Sequence, residues 1–410
     1  MITDRERELL STLKKDELIE LTRALVRIDS VIRPETGNTE KKVVEFIVNW
    51  IKREIGIDPE IDEVDEDRFN IILTIDSGKP GPALLLEGHT DVVSEGERSL
   101  WADDPFGAVV KDGRIYGRGS CDMKAGVALN LLIAKALVKS EVEFTGLLKL
   151  AILCDEEGMM IGVKDFIKKG HAEGIDACLV SEPLDAEFCL SMKGAIRAVV
   201  TVEGKMAHGC QPLLGINPNT RMAMIILTFQ EYERQLKQIH GKDEYLGYPS
   251  VTFTVVQSPP PGEPQQLNVM PRQSRGWIDI RTIPGQDHDK VKRELEEALE
   301  SAGLDDPDFN AKIEFIEERP VVSMSADEPI VGICHTAYKD ITGKEPTYNG
   351  VPGATDGTFL SARAGIPCLV NGPGPRGIPH HVNEYIEIDQ LWDVAREYLL
   401  ASLRYLKAEV

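Results

Sequence analysis

Short apolar runs that end in polar residues alternate with helix-like stretches through the first 190 residues of the chain, and this alternation limits the fold more than any other feature. The apolar runs lie at residues 70–75, 82–87, 147–153 and 177–180. Apolar residues at helical spacing predict helices at 14–28, 40–55, 125–139 and 163–169. Strand–helix alternation of this kind predicts an α/β fold with a mostly parallel sheet covered by helices.

The pattern changes at Ser191. Strands are predicted at 195–203, 250–257, 274–281 and 312–317, with helices at 217–238 and 287–302. From about Arg319 the chain returns to the earlier style, with helices at 328–341 and 388–407. We therefore expect a discontinuous α/β domain of residues 1–190 and 320–410, and an inserted α+β domain of residues 191–319 with helices on one face of its sheet.

Charge and cysteine usage exclude several classes of partner. The 410 residues carry a formal net charge of −22, which disfavours nucleic acid and anionic membrane surfaces but leaves a small anionic substrate open. The N-terminus lacks the apolar core of a signal peptide, and the most apolar stretch, 125–138, is interrupted by Asn130 and Lys135. Seven cysteines without a CxxC pair are typical of reduced thiols. We expect a cytoplasmic protein with no membrane or nucleic-acid partner.

Five polar clusters lie where predicted buried strands end, which is where open α/β sheets place their sites. They are Gly88–Asp91, Gly117–Asp122, Asp155–Glu157, Ser181–Pro183 and His380–Glu384. Each is ambiguous alone, because a strand that ends in His or Asp is more often a capped turn and adjacent glutamates are usually solvated. Together, His89, Asp122, Glu157, Glu182 and His380 supply the imidazoles and carboxylates that suit zinc and similar divalent ions.

Spacing within two clusters suggests a division of roles. Neighbours in an extended segment point to opposite sides, so one of Glu156 and Glu157 could bind a metal while the other acts as a general base. His89 and Asp91 point to the same side, so Asp91 could fix the imidazole tautomer. One aspartate that bridges two ions would hold them roughly 3.5–4 Å apart, as in two-metal hydrolases.

At this point the chain resembles a known family. The matching segments, in order, are LLLEGHTDVV, the tryptophan and DPF of WADDPF, DGRIYGRGSCDMKAG, CDEEG, VSEP, GKMAHGCQPLLGINP, NVMP with DIR thirteen residues after its Asn, PGATDGTFL and PHHVNEYI. They resemble the dinuclear zinc aminoacylase, acetylornithine deacetylase, succinyl-diaminopimelate desuccinylase and glutamate carboxypeptidase family. The resemblance extends from about residue 14 to 405 and implies a two-metal catalytic domain with an inserted dimerisation or lid domain.

The resemblance also implies a role for each matched residue. His89 and Glu182 would bind one metal, Glu157 and His380 the other, and Asp122 would bridge them next to a cis peptide bond to Met123. Glu156 would be the general base for a metal-bridging water, and Asp91 would support His89. A shift of one residue would exchange His380 and His381. The ions would be Zn²⁺ by default, with Co²⁺ or Mn²⁺ fitting the same ligands.

The inserted domain would supply the other site residues. His208 would stabilise the oxyanion, and relatives often deliver this histidine from the partner subunit of a homodimer. Asn268 and Arg281 match positions that hold the substrate carboxylate, Lys193 matches a basic position near the substrate, and Gly353 matches a backbone wall of the pocket.

Three departures bear on the substrate. Many relatives have Gly-Gly where this chain has Ala125–Gly126, and the desuccinylase pattern has Arg where this chain has Thr358. Glu at position 182 goes mainly with N-deacylases, whereas Asp goes mainly with peptidases. The expected activity is therefore hydrolysis of the amide of an N-acyl amino acid. The alternatives are a dipeptidase or carboxypeptidase that acts on short peptides, or a non-catalytic metal-binding relative.

Overall fold

The computed structural model describes residues 1–409. Its helices are α1 (Asp4–Leu10), α2 (Lys15–Val26), α3 (Lys41–Trp50), α4 (Lys124–Lys139), α5 (Ile161–Lys168), α6 (Pro218–His240), α7 (His288–Ala302), α8 (Pro329–Thr342), α9 (Asp356–Ala364) and α10 (Ile388–Tyr405). Its strands up to residue 192 are β1 (Glu60–Asp65), β2 (Arg68–Asp76), β3 (Ala83–His89), β4 (Val109–Lys111), β5 (Arg114–Tyr116), β6 (Leu147–Leu153), β7 (Ala177–Pro183) and β8 (Phe188–Met192). The later strands are β9 (Gly194–Glu203), β10 (Ala207–His208), β11 (Ser250–Gln257), β12 (Val269–Met270), β13 (Gln273–Thr282), β14 (Ala311–Arg319), β15 (Val322–Ser323), β16 (Tyr348–Val351), β17 (Cys368–Gly372) and β18 (Tyr385–Glu387).

The chain forms two compact units. The first contains Met1–Leu190, Met324–Asn349 and the residues from Thr355 onward, and the second contains Ser191–Ser323 and Gly350–Ala354. Compared with the insertion expected at 191–319, the second unit also takes in 320–323 and 350–354. Main-chain pairing explains both additions, because Val322 pairs with Met192 and the carbonyl of Val351 accepts a hydrogen bond from the Lys193 N–H at 3.0 Å.

The first unit is built on a mixed sheet. Its strand order is β1-β2-β6-β3-β7-β17-β8, and the four central strands β6, β3, β7 and β17 are parallel. The outer strands β1, β2 and β8 pair antiparallel with their neighbours. The mostly parallel α/β sheet expected from the alternation is confirmed.

Helix α4 is the most buried helix of the first unit and packs on β3, β6 and β7. Its apolar side chains are buried on almost every side, which explains why residues 125–138 form the most apolar stretch of the chain. Among the described residues, helices that combine the length and the apolarity needed to cross a membrane are absent.

The second unit has an antiparallel sheet in the order β11-β13-β9-β14. Alternate residues of β9, from Ile196 to Val202, face a core that they share with α6 and α7. The strand alternation and the two intervening helices predicted this four-strand, two-helix arrangement.

Candidate metal centre

The parallel strands of the first unit bring three of the polar clusters together. His89 is the last residue of β3, and Glu182 lies one residue before the end of β7. The Asp155–Glu157 segment follows β6, and β3 lies between β6 and β7 in the sheet. Because these strands are parallel, their carboxyl ends meet at one edge, where ligands bind in open α/β sheets.

One imidazole lies between two carboxylates from different elements. The Nε2 atom of His89 is 3.2 Å from Oδ1 of Asp122 and 3.4 Å from Oε1 of Glu182. All three side chains are buried. These atoms form the first group of possible metal ligands.

A second imidazole approaches the other oxygen of the same aspartate. The Nε2 atom of His380 is 3.3 Å from Oδ2 of Asp122 and 3.0 Å from Oε1 of Glu157. Asp122 therefore presents one oxygen to each histidine. The ring that makes these contacts is His380, the histidine that the sequence comparison had selected over His381.

The spacing of these atoms fits bound divalent ions. In a tetrahedral zinc site with bonds of about 2.0–2.2 Å, two ligand atoms lie about 3.3–3.6 Å apart. Two of the four nitrogen–oxygen distances here, at 3.3 and 3.4 Å, lie in that range, and the other two, at 3.0 and 3.2 Å, are shorter. The imidazole contacts thus define two groups that share Asp122. The sets whose ligand atoms all lie within 4.8 Å of one another are His89 with Asp122 and Glu157, and His89 with Glu156 and Glu182, so the carboxylates of each imidazole group would have to move closer together to hold an ion.

The charges of these side chains also favour the binding of cations. Burial and then the nearby Asp122 carboxylate raise the pKa of Glu182 to about 7. Hydrogen bonds with Asp122 and Glu157 raise the pKa of His380 to about 10. Burial would raise the pKa of Asp122, but its hydrogen bonds with His380 and His89 outweigh burial and hold that pKa below its usual value. The cluster therefore has an excess of carboxylates that protons partly offset, and divalent cations would replace those protons.

Glu156 lies beside the two ligand groups and approaches Glu182, whereas Glu157 contacts His380. One of its carboxylate oxygens lies within 4.8 Å of the ligand atoms of His89 and Glu182. Burial, followed by the Glu182 charge, raises the pKa of Glu156 well above its usual value. A buried carboxylate beside two groups of possible metal ligands is a candidate general base.

Asp91 holds the segment that carries both glutamates. Its Oδ1 accepts a hydrogen bond from the backbone N–H of Glu156 at 3.1 Å, and its Oδ2 accepts one from Glu157 at 3.0 Å. The Nδ1 atom of His89 is 3.0 Å from the backbone carbonyl of Asp91 and 3.5 Å from its carboxylate. The carbonyl therefore fixes the imidazole tautomer that was expected to depend on the carboxylate.

The backbone around Asp122 is held by Glu384. The Oε1 atom of Glu384 accepts hydrogen bonds from the backbone N–H groups of Cys121 at 2.9 Å and Asp122 at 3.1 Å. Its Oε2 pairs with the buried guanidinium of Arg118. The peptide bond between Asp122 and Met123 is cis, as the resemblance implies.

The Ala125–Gly126 departure is explained by the packing of α4 on β7. A Cβ atom on Gly126 would lie 2.6 Å from the carbonyl oxygen of Ser181, whereas Ala125 is buried without difficulty. Only the second position therefore requires glycine.

A third group of ligand-type side chains lies at the edge of the first unit's sheet. It consists of Glu60, Asp62 and His171. Nε2 of His171 is 2.7 Å from Asp62, and the Lys169 ammonium is 3.3 Å from the other oxygen of that carboxylate. Lys169 already balances the Asp62 charge, so this group is an ion-pair network.

In the second unit, His208 and Asn268 lie on neighbouring segments. His208 in β10 pairs with Val269 in β12, and the Gly209 N–H donates to the Asn268 carbonyl at 2.8 Å. Both side chains are exposed. The Nδ1 atom of His208 accepts a hydrogen bond from the Cys210 N–H at 3.1 Å, which leaves the proton on Nε2 and makes that atom a donor.

Lys193 and Arg281 form a second cluster in this unit. Burial and then the nearby Arg281 charge lower the pKa of Lys193, whose Nζ donates to the Tyr248 carbonyl at 2.7 Å. Arg281 pairs with Asp279 of the same strand at 2.8 Å. A Cβ atom on Gly353 would meet nothing within 4 Å, so crowding does not require glycine there.

Three residues near the centre were not assigned roles from the sequence. Arg118 and Glu384 lie in two of the polar clusters but received no role, because their pairing across 266 positions has no local signal. Asp356, at the start of α9, is fully buried, and its two carboxylate oxygens have no hydrogen-bond partner among the described residues. Burial raises the pKa of Asp356 to about 8. Thr358 is buried in the capping box of α9, where its hydroxyl accepts from the Thr355 N–H.

Known proteins are similar to this chain over almost its whole length. The profile of peptidase family M20/M25/M40 matches residues 85–403. A probable succinyl-diaminopimelate desuccinylase of Staphylococcus aureus (strain MRSA252) is 27% identical over 419 residues, which cover 97% of this chain and 100% of that protein. The crystal structure of an M20 family metallo-carboxypeptidase, Sso-CP2 from Sulfolobus solfataricus, superposes with a TM-score of 0.79 at 20% identity and covers 96% of this chain and 100% of the other. The Bacillus subtilis YXEP protein, described as a dinuclear metal binding peptidase from the M20 family, gives a TM-score of 0.68 at 17% identity, with coverage of 96% and 98%. At these identities the two structures establish the fold alone.

Proposed function

The chain belongs to peptidase family M20/M25/M40, and on that premise we propose that it removes the acyl group from a small N-acyl amino acid. It is a metallohydrolase that acts on carbon–nitrogen bonds. The proposal concerns which carbon–nitrogen bond, which residues act on it and which ions assist them.

The observation that carries the proposal is the glutamate at position 182. Its carboxylate lies 3.4 Å from His89 Nε2, a distance that supports a role as a ligand of the first group. In the family that the sequence resembles, glutamate at this position goes mainly with N-deacylases. The whole-length similarity to a protein named as a probable desuccinylase supports the same choice.

The donor set supports two zinc ions, with His89 and Glu182 on one, His380 and Glu157 on the other, and Asp122 between them. Two such ions would supply Lewis acidity toward the scissile carbonyl and would lower the pKa of a water molecule. Co²⁺ and Mn²⁺ accept the same ligands.

Glu156 would move the proton that the reaction requires. Its carboxylate takes a proton from the attacking water and later gives it to the nitrogen of the departing amine as the amide bond breaks. The products are then a carboxylate and a free amine. Burial and the Glu182 charge, which raise the Glu156 pKa in the protein alone, suit a group that must both accept and return a proton.

The second unit would supply contacts to the substrate. His208 carries its proton on Nε2 and is proposed to donate it in a hydrogen bond to the carbonyl oxygen as negative charge develops there. Lys193 and Arg281 place two cationic groups near one another, and Asn268 adds an amide, a combination suited to a substrate carboxylate. Gly353 would leave backbone accessible as a wall of the pocket.

We also infer that the chain forms a homodimer through its second unit. Strand β11 is at an edge of the sheet, and Val255 and Val256 are each about half exposed. Helix α6, which packs against β11, exposes Met224 and Leu227. An exposed apolar edge strand is an aggregation hazard unless another strand pairs with it, and a second copy would satisfy it by two-fold antiparallel pairing.

Cytoplasmic localisation stays a prediction from the cysteines. All seven are free thiols, and Cys178 and Cys368 lie side by side on β7 and β17 without a bond between them. This arrangement is compatible with a reducing compartment.

A dipeptidase or carboxypeptidase is the second candidate. The similar solved structures include an M20 metallo-carboxypeptidase, and a peptidase could use the same proton transfer by Glu156. The two candidates differ in the acyl side of the scissile amide, which is a simple acyl group such as acetyl or succinyl for a deacylase and an amino acid or peptide residue for a peptidase.

A substrate panel separates the candidates. The zinc-reconstituted protein would be given N-acetyl and N-succinyl amino acids together with free dipeptides of the same residues, and release of primary amine would be followed. We expect at least one N-acyl series to be cleaved with a kcat/KM above that of every dipeptide, and Glu156→Gln to abolish that cleavage. Faster cleavage of dipeptides would transfer the assignment to the peptidase.

A further inference from the structure

The turn that carries Glu156 and Glu157 has an uncommon backbone. Asp155 has φ of 66° and Met160 has φ of 54°, so two residues other than glycine adopt left-handed conformations within six positions. Such conformations persist where surrounding contacts determine them. The contacts that do so here identify residues outside the ligand groups.

The Asp155 carboxylate ties the turn together from inside. Its Oδ2 accepts hydrogen bonds from the backbone N–H groups of Met159 at 2.9 Å and Ile161 at 3.2 Å. Its Oδ1 lies 2.8 Å from the guanidinium of Arg68. The side chain of Asp155 therefore links the turn to strand β2, where Arg68 is the first residue.

Arg68 is itself fixed by a second carboxylate. Its Nη2 lies 2.6 Å from Oε1 of Glu40, and its Nε lies 3.0 Å from Oε2 of the same group. Glu40 is fully buried just before α3. A planar guanidinium bound at two points has little freedom to turn, so the second N–H of Nη2, the nitrogen that also binds Glu40, is held in position toward Asp155.

We propose that Arg68 is a positioning residue of the hydrolytic centre: anchored by Glu40, it holds Asp155 and thereby the turn that presents Glu156 and Glu157. The proposal rests on the proposed roles of those two glutamates. Without the guanidinium, Asp155 would lose its tie to β2 and Glu40 would be left buried without its cation, so the turn would no longer be held in one position. A displacement of about 1 Å at a catalytic group can cost about 10²-fold in rate.

The chain contains a matched control for this arrangement. Arg404 also lies between two carboxylates, at 2.8 Å from Glu6 and 2.7 Å from Asp340, and is similarly shielded from solvent. These three residues join α1, α8 and α10, helices that carry none of the proposed ligands. Loss of Arg404 therefore removes a comparable ion-pair network without touching the turn.

The experiment compares Arg68→Met, Arg68→Lys and Arg404→Met with the wild type in melting temperature, kcat, KM and the visible spectrum after Co²⁺ loading. We expect Arg68→Met to lower kcat about 10²-fold with KM within about threefold. We also expect it to change the Co²⁺ spectrum and to weaken binding of one ion about 10–100-fold. Arg68→Lys should recover part of the rate, because an ammonium restores the charge but not the two-point anchor. Arg404→Met should lower only the melting temperature.

An Arg68→Met protein with wild-type kcat and Co²⁺ spectrum would overturn the proposal and leave Arg68 a purely structural role. If that variant fails to fold, Arg68→Lys decides: a wild-type rate and spectrum in it would also overturn the proposal. If the wild-type protein cleaves neither N-acyl amino acids nor dipeptides, the proposed function fails on its own. The Co²⁺ spectrum would then still show whether Arg68 positions Glu157.

Discussion

Exchanging the acid for the amide at Glu156 and at Glu157, one at a time, should separate the general base from the metal ligand. The two residues are neighbours, and the Asp91 carboxylate holds the backbone N–H of each at 3.1 and 3.0 Å. Because those bonds involve only main-chain atoms of the two glutamates, an isosteric Gln at either position leaves the segment in place. Any difference between the variants then reports on the side chain alone.

The expected magnitudes follow from the contacts of each carboxylate. None of the four imidazole–carboxylate distances of 3.0–3.4 Å involves Glu156, so Glu156→Gln should keep two ions per chain. Loss of a general base that acts in both halves of the reaction should lower kcat by about 10³–10⁴-fold, or about 4–5.5 kcal/mol. Glu157 is 3.0 Å from His380, so Glu157→Gln replaces an anionic ligand with a neutral amide and should reduce the content to one ion.

The assay combines metal content after dialysis against trace Zn²⁺ with kcat for the best substrate of the panel. Circular dichroism of both variants checks that they are folded. The reasoning is refuted if Glu156→Gln retains one ion while Glu157→Gln retains two. That result would mean that the group formed by His89, Glu156 and Glu182, whose atoms also lie within 4.8 Å of one another, is the real ligand set.

Three further outcomes are expected. Adding Zn²⁺ to metal-free protein at pH 8 should release protons and raise the melting temperature. Hydrogen bonds with carboxylates raise the pKa of His380 to about 10, and its ring must lose that proton to bind metal. An equal release of protons from the His380→Ala variant would contradict this expectation. Val255→Lys on β11 should yield monomers in light scattering. The control is Ile316→Lys on the opposite edge strand β14, where the side chain is as exposed as that of Val255, and this variant should remain a dimer. Dimers from both variants would show that β11 is not in the interface. Burial raises the pKa of Glu397 well above its usual value, so the folded chain keeps a proton that the unfolded chain releases above about pH 4.5, and stability falls by about 1.4 kcal/mol per pH unit between the two pKa values. Glu397→Gln should make the fall of stability with pH shallower in urea unfolding above pH 5, although other buried acids keep part of the slope, and an unchanged slope would count against a buried titrating Glu397.

Local periodicity was sufficient for the long elements of the fold. The segment 125–139 became α4 at Lys124–Lys139, and 250–257 became β11 with the same bounds. Strand β1 was missed because Glu60–Asp65 is charged and mostly exposed, and its only strand-like property is its pairing with β2. The antiparallel flanks of the sheet were missed for the same reason, since pairing direction depends on contacts that a single segment does not encode.

The candidate site could be predicted where it depends on strand ends and not where it depends on long-range contacts. His89 and Glu182 lie at the carboxyl ends of the neighbouring parallel strands β3 and β7, so the order of strands in the sheet brings their side chains close together. Asp122 lies before α4, and His380 lies in a loop 223 positions after Glu157. The polar clusters included both residues, but only the resemblance gave each of them a particular role. Arg68 gave no signal, because its two partners lie 28 and 87 positions away along the chain with no spacing that relates them.

Three acidic residues that are not proposed metal ligands support the centre by accepting hydrogen bonds from the backbone of the ligand-bearing segments. Asp91 accepts two main-chain N–H groups of the segment that carries Glu157, Asp155 accepts two from the same turn, and Glu384 accepts two at Asp122. Each carboxylate fixes a ligand-bearing segment through main-chain atoms, so the ligand side chain can be exchanged without moving its backbone. Two of these acids are also paired with a cation, Asp155 with Arg68 and Glu384 with Arg118. In each pair the guanidinium binds one carboxylate oxygen and the backbone N–H groups bind the other. The two guanidinium groups therefore bind the supporting acids and not the ligands, whose negative charge is available to the metal ions. An amide substitution at a ligand should thus empty one metal site, whereas substitution of Arg68 should displace the ligand of one metal site.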